Sequence, residues 1–509
     1  MVNSNKIYPC YHVDLTHESL VDFEEMSTLC ALESYDKILF FLESNMGLPR
    51  MGVPSSDVVI VLLTLATMCG AKSEMALKAN DPYGVGRISL PVRCLKLLMQ
   101  YVEILAGRSD YEFDPYYFKL LRCQFFNVAD YILNWDLEHE KFTSKQKIKE
   151  TEGFATTYNY IGIFEHGDRK VLKRETLSSK LRARQSLQNC VAWALKLSSS
   201  SDDALSAVGI TWIQILNVLF ELFELRCICL QKCGKKDDER DDSLKISWLT
   251  AFLRSFGVHN HSLCDLVFIG CEFTGQQVVP SDPIYREDPE KNIKRLRADH
   301  QMNDLSVYSY AQSMRLRHQI LRVVFQVLRC LPEGGTRFSN EHSVIADVAH
   351  TLLNFQNMAH LKMFLGTIDF NKDNACFSKF VEKALFDKLK DLRIDVSSPL
   401  TEMGCYEDLL AQLSGFLKGS ASIFTSRRQD MMNEVNRSLA LVDLLVLVLL
   451  KVHIYKKGRT GIKNGLAFRS FMKALRLNDK MRHQFESRNE LAELSLPRLL
   501  PDVKRIFDS

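Results

Sequence analysis

Three groups of side chains have types and spacing suited to chemistry. The first is a thiol and imidazole set: Cys227, Cys229 and Cys233, then His259, His261, Cys264 and Cys271. Zinc is held by thiolates and imidazoles in closely spaced pairs. Cys227 and Cys229 are one residue apart in a helix-periodic stretch, so they point to different faces. A tetrahedron would need Cys229 and Cys233 to meet His261 and Cys264 from a separate segment. Buried cysteines on a Leu-rich helix ask for less, and no metal site is expected.

The second group is Asp369-Phe370-Asn371-Lys372-Asp373, with oxygen ligands at the first, third and fifth places of a calcium loop. The sixth place is Asn374 where such a loop needs Gly, and the twelfth is Phe380 where it needs a bidentate Glu. A helix-capping turn is the better account. The glycine-containing runs Gly84-Val85-Gly86 and Gly458–Gly465 do not have the phosphate-cradling pattern. No nucleophile elbow, zinc-protease helix or kinase catalytic loop occurs in the chain. No catalytic residue and no cofactor is therefore assigned, and an enzyme is not expected.

The third group is cationic and carries more information. The chain has 65 Lys+Arg against 62 Asp+Glu, a formal net charge of +3, but the charge is uneven. From Lys451 to Ser509 there are 14 basic and 6 acidic residues. Here Lys456, Lys457, Arg459, Lys463, Arg469 and Lys473 alternate with Tyr455, Phe468 and Phe471. A second basic stretch holds Arg169, Lys170, Lys173, Arg174, Lys180, Arg182 and Arg184. Surfaces that follow a phosphate backbone combine point charges with stacking rings. These thirteen cations are the candidate contacts for nucleic acid or an acidic partner. The competing account places them on solvated faces of helices whose opposite faces are core.

The elements that must position these groups are helical. Only 23 Gly and 13 Pro punctuate 509 residues, 46% of which are apolar. Such a chain is neither disordered nor a many-stranded barrel or sandwich. Helical periodicity with start and stop signals predicts helices over 20–42, 58–68, 92–106, 116–133, 177–197, 204–231 and 244–256. In the second half it predicts 307–331, 344–365, 377–392, 406–417, 426–455 and 466–477. Pro91 and Gly107 bracket one helix, and Ser55 or Ser56, Asp114 and Asp202 or Asp203 are start signals. One change of period, at Thr156–Phe164 with the turn His166-Gly167-Asp168, predicts a single β-hairpin over 156–175.

No fixed repeat length emerges. The expected fold is all-α: an irregular array of helical hairpins, either a HEAT- or armadillo-like solenoid or a two-lobed helical domain. The expected divisions are 1–140, a helical domain; 141–272, a middle helical region; 273–300, a proline- and charge-rich linker; and 301–509, a helical domain with a basic end.

The first twenty residues lack a signal-peptide core. The longest apolar runs, Val58–Met68 and Leu439–Leu450, are shorter than the roughly twenty residues a bilayer requires, so no membrane insertion is expected. Fourteen cysteines scattered singly suit a reducing compartment, hence the cytoplasm or nucleus. Helical arrays offer long surfaces and little chemistry, and the expected function is a non-enzymatic scaffold or adaptor with protein partners. The alternative is a helical nucleoprotein that clamps RNA or DNA between 169–184 and 451–482.

Overall fold

The structure is a computed structural model. It describes residues 13–67, 88–109, 112–142, 186–198, 203–233, 263–269, 271, 307–330, 340–355, 357–391, 410–415, 417, 432–457, 465–488 and 498–508. Among these residues there are helices and no strand, so the fold is all-α. The β-hairpin expected over 156–175 lies outside the described residues. The chain divides into two compact units, Met1–Gly270 with Gln276–Ser339, and Cys271–Gly275 with Asn340–Ser509.

In the first unit, α1 (His17–Ala31) begins where the Thr16 side chain accepts from the Ser19 amide. It stops at Leu32, and Glu33 takes φ +55° before α2 (Tyr35–Ser44) begins. The sequence predicts one helix over 20–42, and the structure has two. A residue in the left-handed region ends a helix whatever its side chain, and Glu33 carries no glycine signal.

Helix α3 (Ser56–Ala66) is buried along its whole length. Ser55 caps it by accepting from the Val58 amide, and Ser56 bonds the Gln124 side chain at 2.7 Å. It packs against α4 (Leu90–Leu105) and α5 (Pro115–Phe142). Pro91 occupies the first turn of α4, and Gly107 just beyond it has φ +68°, the left-handed geometry glycine adopts freely. Inside this packing Tyr101 donates to the Gly52 carbonyl at 2.5 Å.

Helix α6 (Ser186–Leu197) packs closely on α7 (Asp203–Cys233). A Cβ at Gly209 would come within 2.3 Å of the Ser198 nitrogen and 2.7 Å of the Leu197 carbonyl carbon. Only a bare Cα permits that approach.

Helix α7 also packs against α9 (Val307–Cys330), and charge sets this seam. Arg322 grips Glu224 with two 2.9 Å bonds, while buried Glu221 takes Arg108 at 2.6 Å and Arg315 at 3.0 Å. The short α8 (Leu263–Val267) packs on α6 and α9; its last carbonyl, that of Val267, and the Ile269 carbonyl just beyond it accept from buried Arg317, the latter at 2.8 Å. Orphan carbonyls at a helix end need such donors.

The second unit opens with α10 (Glu341–Leu353), started by a reciprocal capping box of Asn340 and Ser343. Then come α11 (Met358–Gly366), capped by Asn357, and α12 (Phe370–Asp391), whose Asn371 amide donates to Asp369 at 3.0 Å. The expected single helix over 344–365 is thus broken at Asn354–Asn357. Its two asparagines end one helix and start the next.

Helix α13 (Met432–Lys457) packs on α11 and α12. Helix α14 (Leu466–Arg488) runs well past the Leu477 expected as its end, and α15 (Leu499–Asp508) packs on α13 and α14. The segments Ser206–Cys229 of α7 and Asn436–Lys456 of α13 are long and apolar enough to cross a membrane. In this fold they are mostly buried, as core helices are.

Candidate interaction surfaces

Asp479 and Glu486 are the acidic residues of α14, and both are committed to the start of α15. Asp479 accepts from the Leu499 and Leu500 amides at 3.3 and 3.1 Å, and Glu486 binds Arg498. A carboxylate at a helix N-terminus satisfies orphan amides and suits the dipole. Phe468 and Phe507 meet at a 4.8 Å centroid distance, so α15 runs antiparallel along α14. Phe471, Ala474, Leu475, Asn478 and Arg482 form the buried face of α14.

The opposite face is cationic. Arg469, Lys473, Arg476 and Lys480 follow one another at spacings of four, three and four, and all are exposed. At about 100° per residue these positions fall within a narrow stripe centred opposite the buried one. None of the four has an ion-pair partner among the described residues.

Of the thirteen cations expected to matter, Arg469 and Lys473 therefore share one exposed stripe. Lys456 is also exposed, near the end of α13. Lys457 closes that helix, but its side chain lies outside the described set. Arg459, Lys463, Arg169, Lys170, Lys173, Arg174, Lys180, Arg182 and Arg184 also lie outside the described residues. Arg476 and Lys480 were not among the expected contacts. Arg476 stood inside the expected helix in register with Lys473, and Lys480 joins them once α14 runs past Leu477.

The first unit presents a different surface. Phe40 on α2 is 70% exposed, and Leu32 just after α1 is 68% exposed. Arg93 of α4 ties to α2 through Asp36 and Glu43, each at 2.7 Å. Asp36, Phe40 and Glu43 share one face of α2, and Val92, the residue before Arg93 on α4, is also exposed. Met99 on α4 and Ile88 just before it are also exposed. Apolar groups gathered in this way mark contact surfaces more often than isolated ones do.

Chemistry-bearing groups are dispersed by comparison. Among the described residues no three His, Cys, Asp or Glu side chains assemble to hold a metal. Cys227 and Cys264 are buried and Cys229 is half-buried, while His261 lies outside the described residues. A cavity of about 450 Å³ between α4 and α5 is lined by Ile104, Gly107, Phe113, Pro115, Lys119 and Arg122. It pairs apolar walls with two cations and offers no acid and base that converge.

An all-helical fold whose exposed helix faces are apolar in one unit and cationic in the other is what the described residues show. This chain belongs to the family of DNA repair proteins Nse5 and Nse6, which it matches over residues 2–154 and 150–473. It is 25% identical, over 536 aligned residues, to the Non-structural maintenance of chromosome element 5 of Saccharomyces cerevisiae (strain ATCC 204508 / S288c). That similarity spans 98% of this chain and 95% of the yeast protein.

Proposed function

We propose that this chain is a non-enzymatic subunit of a nuclear DNA-repair assembly, in which its helices hold protein partners together. The observation that carries the reading is the family match along most of the chain, joined by similarity to a chromosome-maintenance element over nearly its whole length. The yeast protein's name describes an element other than the structural-maintenance-of-chromosomes proteins themselves. The first partner to expect is accordingly a protein of the Nse6 type, and the second is the SMC5/6 complex. Exposed Phe40, Val92 and Leu32 supply apolar contact area of the kind that anchors a protein interface.

Two features support a structural role. Long helices packed through buried aliphatic faces make rigid, extended surfaces. The polar groups of the interior, such as Arg317 and the Glu224–Arg322 pair, satisfy helix ends and helix seams. A second reading, direct contact with nucleic acid, is favoured by the exposed Arg469 and Lys473.

Affinity purification of the tagged chain from nuclear extract, after nuclease treatment, tests the leading reading. Stoichiometric recovery of an Nse6-type protein and of SMC5/6 subunits is expected. Recovery of the chain without them, from extract where they are abundant, contradicts it.

A further inference from the structure

We infer that the exposed face of α14 is a duplex-DNA ridge, on which Arg469, Lys473, Arg476 and Lys480 bind backbone phosphates without reading sequence. The inference deepens the proposed function, because it rests on the chain acting at DNA, and it assigns that contact to a specific surface.

The local geometry carries it. The four cations project from one rigid helix directly opposite the residues that hold that helix in the unit. Arg469 to Lys480 spans eleven residues, about 16 Å at roughly 1.5 Å per residue. Duplex DNA carries about one charge per 1.7 Å of axis, so a straight ridge of this length runs beside several phosphates at once. Arg and Lys on one helix face can each reach one.

Among the described residues, the two acids of α14 are engaged elsewhere. Asp479 caps α15 and Glu486 holds Arg498, so both are turned toward α15. Exposed His483 continues the same side of the helix toward its end. Among the described residues of this stripe there is no carboxylate and no Phe, Tyr or Trp; its one exposed ring is the His483 imidazole at the end, 3.7 Å from Glu486. Base stacking, which single-strand binders use, would have only the terminal His483 ring to act through, whereas phosphate contact needs only the charges. Duplex DNA is for that reason the preferred ligand over single strands. An acidic protein surface is the other anion such a ridge could meet, and the experiment separates the two.

The test uses the full chain and a labelled duplex of mixed sequence, titrated between about 50 and 200 mM salt. Each phosphate contact contributes about 0.9 to the slope of log affinity against log salt. Four contacts give a slope of about 3.6 and a loss near 150-fold across that range. The variant Arg469→Gln/Lys473→Gln/Arg476→Gln/Lys480→Gln touches no buried residue of α14 and is expected to fold. Its slope should fall by about 3.6, or about 0.9 for each single substitution. A control pair on other helices of the same unit, Lys362→Gln/Lys390→Gln, should leave the slope unchanged.

Unaltered affinity and slope in the quadruple variant would overturn the assignment, as would absence of duplex binding by the parent chain at 50 mM salt. If the quadruple variant loses binding to poly-glutamate while duplex binding is unchanged, the ridge is an acidic-protein site and the inference is wrong. Co-purification with an Nse6-type partner, measured on the same variants, reports separately on the proposed function. The ridge can fail while that complex forms, and the complex can fail while the ridge binds.

Discussion

Arg482 of α14 and Asp443 of α13 form a two-pronged ion pair inside the second unit, with one guanidinium nitrogen 2.8 Å from the carboxylate. Both side chains are buried, and Arg482 is 1% exposed. The pair fixes the inner face of α14 while Asn478, one turn away, donates to the Leu417 carbonyl at 2.9 Å. The cationic outer face is held in place by these inner contacts.

Removing one partner of this pair leaves the other charge buried and unpaired. Arg482→Ala or Asp443→Ala should each destabilise the second unit by about 3–5 kcal/mol, read from urea unfolding. Replacement of both by apolar residues of similar volume should cost much less. Burial, helped by the nearby Asp479 and Asp502 charges, holds the Asp443 carboxyl above its ordinary value near 3.8 against the lowering pull of Arg482. The folded chain therefore keeps that proton to higher pH than the unfolded chain does. Stability contributed at this site falls as pH rises from about 3.8 through the folded value, then levels. The fall should vanish in Asp443→Asn and extend to higher pH in Arg482→Ala.

Gly209→Ala tests the closest helix approach in the first unit. A methyl group there meets backbone atoms of Leu197 and Ser198, which cannot rotate away. Overpacking of this kind costs about 1–3 kcal/mol, so thermal unfolding of the first unit should begin several degrees earlier. A variant with the parent's melting temperature would show that α6 and α7 are further apart than described.

At Glu33 the effect has the opposite sign. A non-glycine residue in the left-handed region costs about 1–2 kcal/mol, and a glycine gives back about 0.4–1 kcal/mol through the unfolded chain. Glu33→Gly should raise stability by roughly 0.5–1 kcal/mol on that balance. Glu33→Val, β-branched at a positive φ, should lower it.

The helices and most of their starts were legible in the sequence because those signals are local. Ser55, Pro91, Gly107 and Asp114 each act within a few residues of where they stand. The break at Glu33 was not legible, since a glutamate there gives no sign of positive φ. The break at Asn354–Asn357 had its signal in two asparagines, which apolar periodicity on either side outweighed. Arg469 and Lys473 stood out by charge, whereas Lys480 lay past the expected end of its helix. The Asp443–Arg482 pair joins residues 39 positions apart and depends on how α13 meets α14. No local pattern encodes that meeting.

Charged residues placed in the apolar surface of the first unit should separate binding from folding. Phe40 is 70% and Val92 39% exposed, so Phe40→Glu/Val92→Glu should leave the melting temperature within about 2–4 °C of the parent, surface changes usually falling within ±0.5 kcal/mol each. Affinity for a protein partner seated there should fall at least tenfold, the effect of losing about 1.4 kcal/mol of interface energy. Isothermal titration with the purified partner measures it.

A chain that works by holding protein partners should form a stable complex with one of them. Size-exclusion chromatography with light scattering, on the full chain mixed with an Nse6-type protein of the same organism, tests it most directly. One peak with the summed mass of the two chains is expected at micromolar concentration. Two peaks at the separate masses, from partners each shown to be folded, would contradict it.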